Sequence, residues 1–271
     1  MQAIGLAASA LVAVLVLSGC GGGTAAVGAS GGAATVATTA SGAPSSPPAA
    51  TPAPSPSLAS PSPRPVPKGP NLSGCYTEDD GKIFTYGKEK LPGVVMGKGP
   101  VGVVISYERG GNACTWRPLA DRLVSSGFRV LLYARDLVAD PWDNIVDMAG
   151  RLRKERGVER IALVGGSMGG SASVTAALEL GEKVAAVVNM AGSPYEAEIA
   201  RLRVPLMQVT AAYDGQMATR MKAAHDAATH LPGRELLVVP GESAHASWLF
   251  ETPHGPQTLD AIMAFLERHR A

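Results

Sequence analysis

Ser167 stands in the run Gly165-Gly166-Ser167-Met168-Gly169, which fits the pattern Gly-x-Ser-x-Gly. A serine hydroxyl is a weak nucleophile until a base takes its proton and nearby donors receive the charge developing on the attacked carbonyl. The spacing provides a place for that chemistry. Where a strand turns sharply into a helix, the turn residue is strained and its neighbours two positions away have to be small. Gly165 and Gly169 meet this need; the apolar stretch 160–165 precedes them and the helix-compatible stretch 169–180 follows. The helix start also presents free backbone N–H groups to negative charge. In a chain with 32 glycines, the strand–turn–helix setting carries the assignment rather than the bare pattern. Gly165-Gly166 is not read as a phosphate loop, because no Gly-x-x-x-x-Gly-Lys-[Ser/Thr] run is present.

The elements that would position this turn alternate along residues 71–271. Short edge-type strands are expected at 82–86 and 93–96, and a buried parallel strand at 101–106, a continuous apolar run. A helix at 116–127 ends on a glycine, a strand follows at 129–133, and Pro141 opens a helix running to about Arg156. Strands at 160–165, 184–190, 205–210 and 235–240 come next, with helices at 169–180, about 216–230 and 256–269. Such alternation calls for a mostly parallel sheet with helices on both faces. In such sheets the ligand site lies beyond the carboxyl ends of the strands.

The first 70 residues have a different composition. Ile4–Leu17 is an apolar run that would span about 21 Å as a helix, short of a hydrocarbon core of roughly 30 Å. It therefore reads as a signal-peptide core. Leu17-Ser18-Gly19-Cys20 follows and resembles the lipobox of bacterial lipoproteins. That resemblance implies removal of residues 1–19, lipidation of Cys20 and anchoring to the outer face of the cell membrane. Residues 21–43 are uncharged and built of Gly, Ala, Ser, Thr and Val; residues 44–70 hold 11 prolines, and Arg64 and Lys68 are the only charges between Cys20 and Pro70. Residues 20–70 thus read as a tether, flexible first and then extended. With Cys20 lipidated, Cys75 and Cys114 remain as a pair in a compartment where disulfides persist, and a Cys75–Cys114 bridge is expected. A formal net charge of +1 without a concentrated basic stripe gives no nucleic-acid footprint. No His, Asp and Cys cluster has metal-ligand spacing, so neither metal nor organic cofactor is implied.

Residues 81–269 resemble the α/β-hydrolase superfamily, especially its small serine esterases and dienelactone-hydrolase-like members. The resemblance rests on the Ser167 turn within the alternating elements. It implies the chain order nucleophile, acid, histidine. Asp214, just past the strand 205–210, takes the acid position; Asp136 and Asp140 are its competitors, and helix capping is its plain structural role. His245 follows the last strand in Pro240-Gly241-Glu242-Ser243-Ala244-His245 and takes the base position, with His254 as competitor. His225 and His230 are expected on the surface of the helix 216–230. Met168 N–H and a backbone N–H of Arg109, or of Glu108, would form the oxyanion hole. Members of the family carry His-Gly or Gln-Glu at this second loop, where this chain has Tyr107-Glu108. Only residues 191–204 join two strands between which many lipases insert a lid, so the site is expected to be open. Tyr107, Trp116, Tyr195 and Trp248 are candidate walls. The implied function is hydrolysis of a small-molecule or polymeric ester; a catalytically inactive fold serving as a cell-surface or wall-associated binding protein is the alternative.

Overall fold

The computed structural model describes residues 69–270. The leader, Cys20 and nearly all of the tether expected from the sequence lie outside the described residues. Among the described residues eight strands form one sheet: β1 (Lys82–Tyr86), β2 (Leu91–Met96), β3 (Val101–Ser106), β4 (Arg129–Tyr133), β5 (Arg160–Gly166), β6 (Val184–Met190), β7 (Leu206–Ala211) and β8 (Arg234–Val239). Their order across the sheet is β1-β2-β4-β3-β5-β6-β7-β8. The β1–β2 and β2–β4 pairings are antiparallel and all others parallel. Six α-helices accompany them among the described residues: α1 (Arg117–Ser125), α2 (Pro141–Leu152), α3 (Met168–Leu180), α4 (Glu196–Arg201), α5 (Met217–Ala227) and α6 (Gly255–Arg268).

The central strands are apolar on both faces because helices cover both. Successive side chains of a strand point to opposite faces, and the core divides accordingly. Val103, Ile105, Val130 and Leu132 join one buried cluster with Leu119 of α1 and Ile262 of α6. Val104, Leu131, Leu163 and Val187 join the other, with Ile145 of α2 and Val174 of α3. Helix α1 ends where Gly127 adopts φ +78°; the Phe128 N–H donates to Leu123 O and the Gly127 N–H to Val124 O, which satisfies the last carbonyls and turns the chain into β4.

The structure departs from the sequence expectations at several places. Strand β2 lies between β1 and β4 rather than at an edge, since strand order depends on long-range pairing. Helix α2 stops at Leu152: the next four residues are all charged and offer no apolar side to bury. Helix α5 ends at Ala227, leaving His230 beyond it; His225, expected on the surface, is partly buried, and its Nδ1 is buried without a hydrogen-bond partner. Helix α4 and a 3-10 turn over Ala246–Glu251 were not apparent from periodicity, because six residues are too few to establish one. The β6–β7 connection holds only α4, so no large lid interrupts it.

Cys75 and Cys114 are bridged, with Cα atoms 5.8 Å apart. The bridge joins the segment before β1 to the 3-10 turn Ala113–Trp116. Arg117 reinforces the junction: it donates to Cys75 O, pairs with the Asp80 carboxylate and lies 4.9 Å from the Tyr76 ring centroid. Closing a loop of 39 residues restricts the unfolded chain, so replacing both cysteines by serine is expected to lower unfolding free energy by about 2–4 kcal/mol. Denaturant unfolding of the two forms checks this; equal midpoints at equal slope would contradict it.

Candidate active site

Strand β5 delivers Ser167 to the turn before α3 with φ 51° and ψ −115°, a strained conformation for a residue with a side chain. The turn is held from below: Ser167 N–H donates to Met190 O at 2.7 Å, fixing it to the end of β6. The small neighbours are sterically required. A Cβ on Gly165 would fall 2.3 Å from Gly169 O, and one on Gly169 would fall 2.2 Å from Ser106 O. Helix α3 begins at Met168, so the first-turn N–H groups, Met168 included, have no intrahelical acceptor.

Asp214 follows β7 and His245 follows β8. His245 Nδ1 and Asp214 Oδ2 are 2.7 Å apart, and both side chains are largely shielded from solvent. The two loops are also joined through the backbone, with Tyr213 N–H donating to Glu242 O at 2.9 Å. Ala246, the residue after His245, adjoins the turn. A Cβ on Gly166, next to Ser167, would fall 2.9 Å from the Ala246 side chain, next to His245. Thus Ser167, Asp214 and His245 follow the carboxyl ends of the parallel strands β5, β7 and β8, on one side of the sheet.

The competitors have other partners. His254 Nδ1 lies 2.8 Å from Glu242 Oε1, a second histidine–carboxylate couple on the same loop system. The hydrogen bond from His254 holds the Glu242 carboxyl below the usual carboxylate range, with one from Thr252 adding to it. Asp136 accepts from Val138 N–H at 2.9 Å, and Asp140 precedes α2, where its carbonyl accepts from Asn144.

Glu108 has a role that the sequence did not signal. Its side chain is 0% exposed, and a buried carboxylate is costly unless donors satisfy it. It receives Trp116 Nε1–H at 3.0 Å, Thr115 Oγ1–H at 3.5 Å and the Ser247 hydroxyl. One carboxylate thereby joins the loop after β3, the following 3-10 turn and the histidine loop. Trp116, expected as a wall, is instead fully buried and meets Phe250 edge-on at 5.6 Å. A large ring whose N–H has a buried acceptor packs well inside, and pattern alone could not separate that from a pocket wall. Tyr107 is half-buried; its hydroxyl accepts from Arg135 N–H at 3.1 Å, and the Arg135 guanidinium lies 4.7 Å from its ring centroid. Arg109 is exposed, its Nη2 3.8 Å from Met168 Sδ, which sets the two proposed oxyanion loops side by side. Tyr195 is exposed, and Trp248 is partly exposed with its ring centroid 6.5 Å from that of His245. No group of three or more His, Cys, Asp or Glu suited to a metal ion occurs among the described residues.

A family model described as the alpha/beta hydrolase fold matches residues 108–238, taking in Ser167 and Asp214 and ending before His245. Among solved structures, the chain is similar to a dienelactone hydrolase from Anabaena variabilis at 20% identity and a TM-score of 0.60, covering 70% of this chain and 98% of that one. It is similar to an esterase from Pyrococcus furiosus at 15% identity and a TM-score of 0.60, covering 74% and 97% respectively. The chain has the α/β-hydrolase fold. A monoacylglycerol lipase from Paleococcus ferrophilus is another such structure, at 14% identity and a TM-score of 0.58, covering 66% of this chain and 99% of its own. No curated protein matches the sequence. In this α/β-hydrolase fold the strand ends that carry Ser167, Asp214 and His245 are β5, β7 and β8, and the chain order is serine, aspartate, histidine.

Proposed function

We propose that the protein is a serine hydrolase that cleaves esters through an acyl-enzyme. The observation that carries this reading is the Asp214–His245 pair at 2.7 Å, beyond the same strand ends as Ser167, which sits strained between β5 and α3. In this reading His245 takes the Ser167 proton as the hydroxyl attacks the carbonyl carbon. Asp214 fixes the tautomer of His245 and balances the imidazolium. The N–H of Met168, with that of Arg109 or alternatively of Glu108, receives the oxyanion. His245 then protonates the departing alcohol, and water repeats the sequence on the acyl-enzyme to release acid. The step asks for acid–base and electrostatic work that side chains and backbone can supply. Similarity to an esterase and a dienelactone hydrolase supports the ester class. Labelling of Ser167 by a fluorophosphonate tests the proposal.

The same proposal places the enzyme outside the cell, with Cys20 lipidated and the catalytic domain held off the membrane by residues 21–70. Its support is the apolar run ending in Leu17-Ser18-Gly19-Cys20. Mass spectrometry of membrane-extracted protein is expected to find a mature chain starting at a diacylglyceryl-modified Cys20. An unmodified Cys20 in that fraction would end this part of the proposal.

A further inference from the structure

Two neighbouring apolar side chains, Leu137 and Val138, are 83% and 97% exposed on the loop between β4 and α2. The loop is firmly built. Asn144 of α2, only 3% exposed, accepts from Asp136 N–H at 3.0 Å and donates to Asp136 O at 3.1 Å and to Asp140 O at 3.2 Å. The Tyr86 hydroxyl secures Ala134 O at the other end. Asp136 also accepts from Val138 N–H at 2.9 Å, closing a turn that aims the two side chains outward. A rigid loop that holds two apolar residues in water contributes nothing to the core.

The same residues line a cavity of about 460 Å³ whose far wall is Met168, the residue after Ser167. That volume falls within the range of small-molecule sites. Its charged lining balances, two arginines (Arg109 and Arg135) against two aspartates (Asp136 and Asp140). Two of these four groups have partners inside the protein: Arg135 on Tyr107, Glu108 O and Met168 Sδ, though its Nε is buried without one, and Asp136 on Val138 N–H. Arg109 and Asp140, of opposite charge, stay exposed in the lining. The most exposed apolar side chains offered to a ligand are Leu137 and Val138, and a ligand that covers them has to extend past the cavity mouth.

We propose that Leu137 and Val138 form an apolar lip that selects neutral esters with a long apolar chain, the chain running from Ser167 through this cavity and across the lip. The inference rests on the serine-hydrolase reading and specifies its substrate class. The test compares kcat/KM for p-nitrophenyl octanoate and p-nitrophenyl acetate in the full chain and in the L137S/V138S variant. The octanoate-to-acetate ratio is expected to be well above one in the unaltered protein and to fall about tenfold in the variant. Leu137→Ile with Val138→Leu, which keeps the apolar surface, is expected to restore it. General damage to the fold lowers both rates and leaves the ratio in place, so an unchanged ratio overturns the lip. A ratio near one in the unaltered protein overturns it as well. Fluorophosphonates with long and short alkyl chains separate this failure from that of the parent reading. Labelling of Ser167 without chain-length preference removes the lip alone, whereas no labelling by either removes the serine reading and the lip together.

Discussion

Ser167→Ala is expected to abolish covalent labelling by a fluorophosphonate and to cut turnover of a p-nitrophenyl ester by roughly four to six orders of magnitude. The size follows from the role. Without the hydroxyl no acyl-enzyme forms, and the remaining catalysis comes from the oxyanion donors and from substrate binding alone. The protein should stay folded. Ser167 is only partly buried, its side chain forms no cap hydrogen bond, and its main-chain link to Met190 O does not involve the hydroxyl. A loss of only one oxygen at such a position belongs with substitutions that shift stability by about 0.5 kcal/mol or less. Intact-mass measurement after labelling, beside a thermal melt, reads both effects. Labelling that persists in Ser167→Ala would mean another nucleophile, and the reading of the β5–α3 turn would fall.

The parts of this site legible in the sequence are those with local causes. The Gly165–Gly169 spacing follows from contacts a Cβ would make within a few residues or with the adjacent strand, so it is written in the glycines themselves. The strands β3, β5 and β6 were legible because burial on both faces demands unbroken apolar runs. The Cys75–Cys114 bridge was legible by counting, once Cys20 was set aside.

What remained hidden depends on residues far apart in the chain. Glu108 is separated from Ser247 by 139 positions, and its nearer donors Thr115 and Trp116 turn toward it only through the 3-10 turn Ala113–Trp116. Leu137 and Val138 read as two more apolar residues; their exposure is set by Asn144, Tyr86 and the path of the loop. Trp116 failed in the opposite sense, for an aromatic near a catalytic loop packs inward as readily as it lines a pocket. The second histidine–carboxylate couple, Glu242–His254, could not be foreseen, because it forms only once the turn Ala246–Glu251 brings its two members together.

That second couple makes the choice of base a sharp experiment. His245 and His254 each hold a carboxylate through Nδ1, at 2.7 Å and 2.8 Å, so dyad geometry alone does not distinguish them. Their settings do. Ala246, beside His245, packs against Gly166 beside the nucleophile, whereas the backbone of His254 starts α6 and accepts from Thr258. His245→Ala is therefore expected to cost nearly as much turnover as Ser167→Ala, and the double variant to be barely worse than either, because members of one triad act as a unit. Asp214→Asn should cost somewhat less, since it disturbs the tautomer and the charge balance while leaving the base in place. His254→Ala and Glu242→Gln should each change turnover by about tenfold at most. Their couple braces the loop that carries His245, and the Tyr213 N–H bond to Glu242 O survives both substitutions. Steady-state turnover of a p-nitrophenyl ester reads all six variants on one scale. A large loss in His254→Ala beside near-normal turnover in His245→Ala would transfer the base to His254 and the orienting carboxylate from Asp214 to Glu242, while Ser167 and the fold around it would stand.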